Sequence, residues 1–193
     1  MNVKEAINKR RAYRSLEVIE ISDDLVRDLA LSAQIAPSCM NKQPWRFIFV
    51  RKKEALKELF ITFSSGNMWA KKASMIIGVA SNLEYDCIIG ERLYYLFDTG
   101  MATALIILRA TELGLVAHPI AGFNEQEAKK ALSLPNEMRL ISLIIVGKRS
   151  KEINPELSDF MKLGEENRPP RIPLNEFAFS NYFKINSKEN IFP

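Results

Sequence analysis

Apolar residues recur at helical spacing in a segment near the amino terminus. Leu25, Leu29 and Ile35 carry this pattern. Ser22 suits the N-cap of a helix that begins just after it, and Pro37 would stop that helix. The pattern therefore predicts one amphipathic helix between Ser22 and Pro37.

The other strong apolar patterns lie in the middle of the chain. Compact runs of aromatic and β-branched residues predict strands at 45–50, 75–80 and 140–146. A long and mostly apolar segment at about 90–113, closed by Gly114, predicts a central helix, and 125–132 predicts a shorter one. Strands mixed with helices in this order predict an α+β domain with a helix-covered sheet.

Beyond residue 148 the apolar periodicity is lost, and prolines become frequent. The segment is nevertheless rich in aromatic residues, which disordered tails lack; these are Phe160, Phe177, Phe179, Tyr182 and Phe183. We therefore expect 148–193 to lie across a surface, and a second subunit could supply that surface.

Composition indicates one domain in a reducing compartment. The chain has 193 residues, of which 47% are hydrophobic, and this fits a single domain spanning 1–193. Cys39 and Cys87 are far apart in sequence, so we expect two reduced thiols. The opening residues carry no apolar core of the signal-peptide type, and the apolar run 101–108 is too short to span a bilayer. We expect a cytoplasmic protein with no membrane segment.

Familiar catalytic motifs are scarce. The single histidine, His118, has no carboxylate nearby in sequence, so we interpret it as structural and expect neither a histidine-based triad nor a metal site. The eight glycines form no phosphate-binding motif, so any bound phosphate must be held by side chains. A net charge of +4 without a recognisable motif argues against nucleic-acid binding.

Arginines near the amino terminus are candidates for holding a phosphate. KRRAYR places Arg10 and Arg14 four residues apart, which predicts that they share one helical face. A solvated basic face is the alternative interpretation of the same spacing.

Five segments in a fixed order carry more information than any of them alone. They are KRRAYRSL, APSCMNKQPWRF, FDTGMATALIILRATELGL, HPIAGF and RPPRIPLNEF. The ordered set resembles the nitroreductase family of FMN-dependent oxidoreductases over nearly the whole chain. The resemblance implies a central, mostly antiparallel sheet flanked by helices, in a homodimer whose extended C-terminal segment, 148–193, packs on the partner subunit.

The resemblance also implies which residues contact FMN. The proposed contacts come from four segments: Arg10, Arg11, Ala12 and Arg14; Pro37, Ser38, Cys39 and Asn41, which reach the flavin of the partner subunit; Pro119, Ile120, Ala121 and Gly122; and Arg168 and Arg171. Arg10, Arg168 and Arg171 are assigned to the phosphate, and Arg14 to the reduced flavin ring.

Two positions depart from the family pattern. Ala12 stands where a hydroxyl residue is usual, and Ala121 stands where many members carry an acidic residue. A backbone N–H of the 119–122 segment can still donate to the flavin N5. Gln43, Pro44 and Trp45 are expected to fix the turn that leads into the first predicted strand.

The implied function is hydride transfer from NADH or NADPH through FMN to a nitroaromatic, quinone or similar small-molecule acceptor, in a ping-pong mechanism. The flavin carries the redox chemistry, so no catalytic side chain is expected. Alternatives are a non-catalytic flavin- or nucleotide-binding regulatory protein, and a reductive dehalogenase or flavin-fragmenting enzyme on the same fold.

Overall fold

The computed structural model describes residues 1–183 and shows an antiparallel sheet with helices on both faces. The helices are α1 (Val3–Lys9), α2 (Asp23–Gln34), α3 (Lys53–Phe60), α4 (Tyr94–Glu112), α5 (Glu125–Ala131) and α6 (Asp159–Glu166). The strands are β1 (Leu16–Glu17), β2 (Arg46–Val50), β3 (Met75–Ser81), β4 (Ile88–Ile89), β5 (Arg92–Leu93), β6 (Leu115–Ile120) and β7 (Arg139–Arg149). Strand β7 pairs with β1, β3 and β6, and β3 also pairs with β2.

The two central strands carry the core. Every residue of β3 is buried, and β7 contributes fully buried residues such as Leu143 and Ile144. Helices α2 and α4 cover one face of the sheet, while α3, α5 and Trp69 cover the other. The predicted α+β class, with its mostly antiparallel, helix-flanked sheet, is confirmed.

Local sequence signals placed several elements correctly. The Ser22 side chain accepts a hydrogen bond from the Leu25 backbone N–H, and α2 ends before Pro37 as predicted. The three predicted strands correspond to β2, β3 and β7. Helix α5 ends one residue before the predicted boundary.

The predicted start of the central helix was wrong. Helix α4 begins at Tyr94 because the preceding residues form the β4–β5 hairpin, in which Gly90 has a φ of 63°. The carboxyl-terminal boundary was correct: α4 ends at Glu112, and Gly114 has a φ of 78°.

The prediction that Arg10 and Arg14 share one face of a helix was also wrong. Helix α1 ends at Lys9, and Arg10 leaves it with a ψ of 123°. The chain then runs without helical structure to β1, and the distant Glu165 carboxylate accepts the backbone N–H groups of Arg14 and Ser15.

Cys39 and Cys87 form a disulfide, with 6.2 Å between their Cα atoms. The expectation of two reduced thiols was therefore wrong. The two cysteines are 48 residues apart in sequence. They meet because the turn after α2 packs against the segment that precedes α4.

The described part of the C-terminal segment contains a helix that the sequence did not predict. It completes β7 and forms α6, and several of its aromatic side chains are exposed, including Phe160 and Tyr182 at 82% and 72%. Residues 184–193, with the predicted surface contact of that stretch, lie outside the described residues. None of the described helices is long and apolar enough to cross a membrane.

Candidate functional site

Arginines from the two ends of the sequence line one pocket of about 240 Å³. The lining residues are Arg10, Arg11, Ala12, Arg14, Gly164, Arg168, Pro169 and Arg171. The structure thus brings together all the residues predicted from the first and last of the five sequence segments.

A buried glutamate holds the amino-terminal side of this pocket. Glu165 is 2% exposed and accepts hydrogen bonds from the backbone N–H groups of Arg14 (2.7 Å) and Ser15 (3.2 Å). Arg11 Nη2 donates to the Gly164 carbonyl at 2.6 Å. The end of α6 therefore fixes the backbone that follows α1, across about 150 residues of sequence.

Positive charge is concentrated at the mouth of the pocket. Burial lowers the pKa of the Arg10 guanidinium, and the neighbouring charges of Arg168, Arg171 and Arg11 lower it further. Arg168 donates to the backbone carbonyls of Asn8 (2.6 Å) and Arg10 (3.0 Å), so it also holds the loop in place. Arginines crowded in this way are suited to an anion with several acceptor oxygens, such as a phosphate.

The Arg14 guanidinium lies over the Trp69 ring, which packs on the His118 ring, and the sequence did not assign either ring to the site. The guanidinium carbon lies 5.9 Å from the centre of the Trp69 ring, and that ring lies 4.7 Å from the His118 ring. His118 Nδ1 contacts the Tyr13 carbonyl at 3.1 Å. Trp69 and His118 are both buried, so they form a packed surface against which the Arg14 side chain lies.

His118 should make the folded protein sensitive to acid. The pKa of His118 is lowered to about 4 from an ordinary value of 6.5, chiefly by burial and also by the charge of Arg14, while the hydrogen bond with the Tyr13 carbonyl opposes the shift. Between these two pH values the unfolded chain binds a proton that the folded chain excludes, so stability falls as the pH falls. We expect a loss of about 3 kcal/mol over this range.

His118→Gln should remove this contribution while keeping a polar side chain near the Tyr13 carbonyl. Urea unfolding of both proteins at several pH values measures it, because the difference between their pH slopes isolates His118 from the carboxylates. Parallel curves for the two proteins would contradict the prediction.

The 119–122 segment is held by a second turn. The Gly122 carbonyl accepts hydrogen bonds from the Ser64 backbone N–H (3.0 Å), Ser64 Oγ (2.9 Å) and Asn67 Nδ2 (2.9 Å). A Cβ at Gly122 would lie 2.5 Å from both side chains, so only glycine fits without displacing them. Asn67 and Trp69 belong to one 3-10 helix, Ser65–Lys72, which therefore connects this segment to the arginine pocket.

The exposure of the 119–122 residues limits what they can contribute. Ile120 is buried in the core, whereas Pro119 and Ala121 are exposed. The segment therefore offers backbone groups rather than the Ile120 side chain to a ligand.

The 37–41 residues are placed elsewhere in the single chain. Cys39 is tied to Cys87, and its backbone N–H donates to Asp98 Oδ2 on α4 at 2.6 Å. Among the described residues, no hydrogen bond, ion pair or ring contact joins Pro37, Ser38, Cys39 or Asn41 to the arginine pocket. One chain therefore brings the first and last of the four predicted sets into one pocket, and the 119–122 set is linked to that pocket through the 3-10 helix that carries Asn67 and Trp69.

An α+β fold whose two ends converge on an arginine-lined pocket defines a protein suited to binding a phosphorylated ligand. The chain belongs to the nitroreductase family, whose sequence profile matches residues 7–92 and 89–148. The family resemblance seen in the sequence is confirmed.

Relatives of known sequence and structure agree with this assignment. A protein of Archaeoglobus fulgidus, provisionally named NADH dehydrogenase/NAD(P)H nitroreductase, is 29% identical over 174 residues, which cover 86% of this chain and 93% of that protein. A nitroreductase family protein of Clostridium novyi NT is 28% identical, with a TM-score of 0.73 over 78% of this chain and 87% of that one. A crystal structure described as an oxidoreductase containing FMN is 25% identical, with a TM-score of 0.82 over 95% and 94% of the two chains.

Proposed function

We propose that the protein is an FMN-dependent oxidoreductase that takes electrons from NADH or NADPH and passes them to a nitroaromatic, a quinone or a similar small acceptor. The observation that carries this proposal is the convergence of five arginines on one pocket in a chain of the nitroreductase family. The FMN of one structural relative and the NAD(P)H in the name of the Archaeoglobus fulgidus protein support the two cofactors.

The residues present fit the phosphate end of FMN. Arg10 and Arg171 line the pocket with guanidinium groups that can bind phosphate oxygens in pairs, and Arg168 holds the backbone of Arg10 in position. The small side chain of Ala12 lines the same pocket and leaves room beside these groups. Arg11 is already engaged with the Gly164 carbonyl, so its role is to attach the loop to α6.

The ring end of FMN would lie on the Trp69 and Gly122 side of the site. Arg14 lies above Trp69 and is the cation available to the flavin ring. The Gly122 carbonyl is fully engaged by Ser64 and Asn67, which fixes the orientation of the peptide groups around it. The N–H of that peptide belongs to Phe123 and donates to the Ala121 carbonyl at 3.1 Å, so the donor to the ring would be the Gly122 N–H, one peptide earlier.

When bound, FMN supplies the two-electron chemistry, accepting a hydride from the nicotinamide and returning electrons to the acceptor. The chain binds and orients the cofactor and shapes the access to one of its faces. Because donor and acceptor use the same face, the donor product must leave before the acceptor enters, and this gives ping-pong kinetics.

We also propose that the working protein is a homodimer. In a single chain the arginine pocket has a volume of about 240 Å³, which is below the roughly 300–1,000 Å³ of typical cofactor pockets. Large apolar side chains are exposed on α4 and α6, including Phe97 at 64% and Phe160 at 82%. A second copy would cover these side chains and bring its residues 37–41 to the arginine pocket. The segment 148–193, with its aromatic side chains, would take part in that contact.

Analysis of the bound cofactor and of the two half-reactions tests this function. Purified protein should be yellow and should release FMN rather than FAD on denaturation. Anaerobic mixing with NADH or NADPH should bleach the visible absorption of the flavin, and a quinone added afterwards should restore it without further nicotinamide. Colourless protein that fails to bind added FMN would overturn the proposal. Bound FMN that neither nicotinamide reduces would favour the non-catalytic alternative.

A further inference from the structure

The turn that follows α2 has an unusual backbone and few attachments. Residues 37–43, here called the 37–43 loop, include three non-glycine residues with positive φ: Met40 (49°), Asn41 (57°) and Gln43 (50°). This left-handed region is unfavourable for side chains such as that of methionine. Met40 is also 85% exposed, so packing of its side chain does not hold the loop in this conformation.

Most of the hydrogen bonds of this loop are internal. Ser38 Oγ accepts from the Gln43 backbone N–H at 2.9 Å, and the Ser38 carbonyl accepts from the Asn41 N–H at 3.0 Å. Two hydrogen bonds join residues 38–43 to other described parts of the chain: Cys39 N–H to Asp98 Oδ2, and Arg46 Nη1 to the Gln43 carbonyl at 3.2 Å. The Cys39–Cys87 disulfide is the covalent attachment of the same loop.

The surroundings of the disulfide are suited to thiol chemistry. Asp86 is buried, its Oδ1 accepts from the Cys87 backbone N–H at 2.8 Å, and its carboxyl lies within hydrogen-bond reach of the Asp98 carboxyl. Burial raises the pKa of the Asp86 carboxyl, and the nearby Asp98 raises it further. A carboxylate oxygen of Asp86 lies within 4.8 Å of both sulfur atoms. In its protonated form this carboxyl can supply a proton to a sulfur that leaves as a thiolate.

Both cysteines are partly exposed in the single chain, and Cys87 lies outside the residues assigned to the partner's flavin, so a small thiol can reach the disulfide from the Cys87 side. In exchange, an external thiolate attacks one sulfur and forms a mixed disulfide, and the second protein sulfur leaves and takes up a proton. A second external thiol then releases the protein as a dithiol, and the external pair leaves as its own disulfide. Two electrons and two protons pass to the protein in this sequence.

We propose that Cys39 and Cys87 form a reversible dithiol/disulfide site, reducible by low-molecular-weight thiols, whose oxidised form holds the 37–43 loop in the conformation that binds FMN. The first half of this inference depends on the disulfide and its surroundings alone. The second half rests on the proposed function, because it assigns Ser38, Cys39 and Asn41 to the flavin of a partner subunit. The redox state of the cysteine pair then regulates the affinity for the cofactor.

Thiol counting and hydrogen exchange test the reversible bond without any flavin. Protein purified without reductant should contain no free thiol after denaturation, and reduced protein should contain two. Amide exchange of flavin-free protein should become at least tenfold faster in the 37–43 loop on reduction, while β3 and β7 remain unchanged. Cys87→Ser, which keeps the Cys39 side chain, should match the reduced protein and should not respond to reductant. Two thiols in unreduced protein, or unchanged exchange in the loop, would overturn the proposal.

Affinity for FMN tests the regulatory half. In glutathione buffers the oxidised protein should bind FMN at least tenfold more tightly than the reduced protein, with Cys87→Ser again equal to the reduced form. Linkage requires the converse effect, so FMN should lower the midpoint potential of the disulfide by about 30 mV for each tenfold difference in affinity. Equal affinities in the two states would overturn this half. Absence of FMN binding in both states, with the thiol and exchange results as expected, would overturn the proposed function and this half while leaving the reversible bond established.

Discussion

Replacing Glu165 by alanine should reduce the free energy of unfolding by about 3 kcal/mol, since it removes a buried charge that accepts two backbone hydrogen bonds. The backbone N–H groups of Arg14 and Ser15 would lose their acceptor, and Ser15 is itself buried. The loop that carries Arg10, Arg11 and Arg14 would also lose its attachment to α6. We therefore expect weaker FMN binding together with the loss of stability.

Glu166 provides the matched control because it is the next residue, has the same charge and is exposed. Glu166→Ala changes the net charge by the same amount and should alter stability by less than about 0.5 kcal/mol. Urea denaturation of flavin-free proteins measures both effects without a contribution from bound cofactor. If Glu165→Ala fails to fold, Glu165→Gln takes its place. Because Gln keeps one acceptor oxygen, its loss of unfolding free energy should be smaller than about 3 kcal/mol but larger than that of Glu166→Ala. Equal losses for the Glu165 and Glu166 variants would show that the buried carboxylate does not hold the loop.

Arg10→Ala should weaken FMN binding about 30-fold, which corresponds to the loss of about 2 kcal/mol from a charge-assisted contact with phosphate.

Arg14→Ala should largely retain FMN but lower the reduction potential of the bound flavin. Two-electron reduction leaves negative charge on the ring, and a fixed cation stabilises that form more than the oxidised one. For a two-electron couple, each 1.4 kcal/mol lost from the reduced form corresponds to about 30 mV.

Arg27 is a suitable control for both variants, since it is exposed on α2 and belongs to no part of the pocket. Arg27→Ala should change neither the affinity nor the potential. Fluorescence titration of flavin-free protein gives the affinity, and redox titration of reconstituted protein gives the potential. Arg14→Ala protein with an unchanged potential would show that Arg14 has no role at the ring, and FMN affinity unchanged by Arg10→Ala would remove Arg10 from the phosphate site.

Features set by neighbouring residues were predictable from the sequence. Ser22 caps α2 through an atom three residues away, and the runs that became β2, β3 and β7 have apolar side chains that suit a buried sheet. The ordered motifs also predicted that arginines near residues 10 and 170 belong to one site. The structure places them in one pocket, whereas their contacts with FMN stay predictions.

Features set by distant partners were missed. Arg10 and Arg14 look helical in sequence, but Glu165 accepts the Arg14 N–H from 151 residues away and holds that segment out of α1. The disulfide could not be inferred from two cysteines without the packing of the 37–43 loop against the segment before α4. Trp69 carried no signal beyond an aromatic residue in a polar stretch, since its role depends on the positions of Arg14 and His118.

The affinity ratio of FMN to riboflavin in the flavin-free wild-type protein tests the central claim most directly, because the two ligands differ only in the phosphate. If Arg10 and Arg171 bind the phosphate in a loop held by Arg168, FMN should bind at least about 100-fold more tightly than riboflavin, and most of that preference should disappear in Arg10→Ala. Equal affinity for the two ligands in the wild-type protein would contradict the assignment of the arginine pocket to the cofactor phosphate.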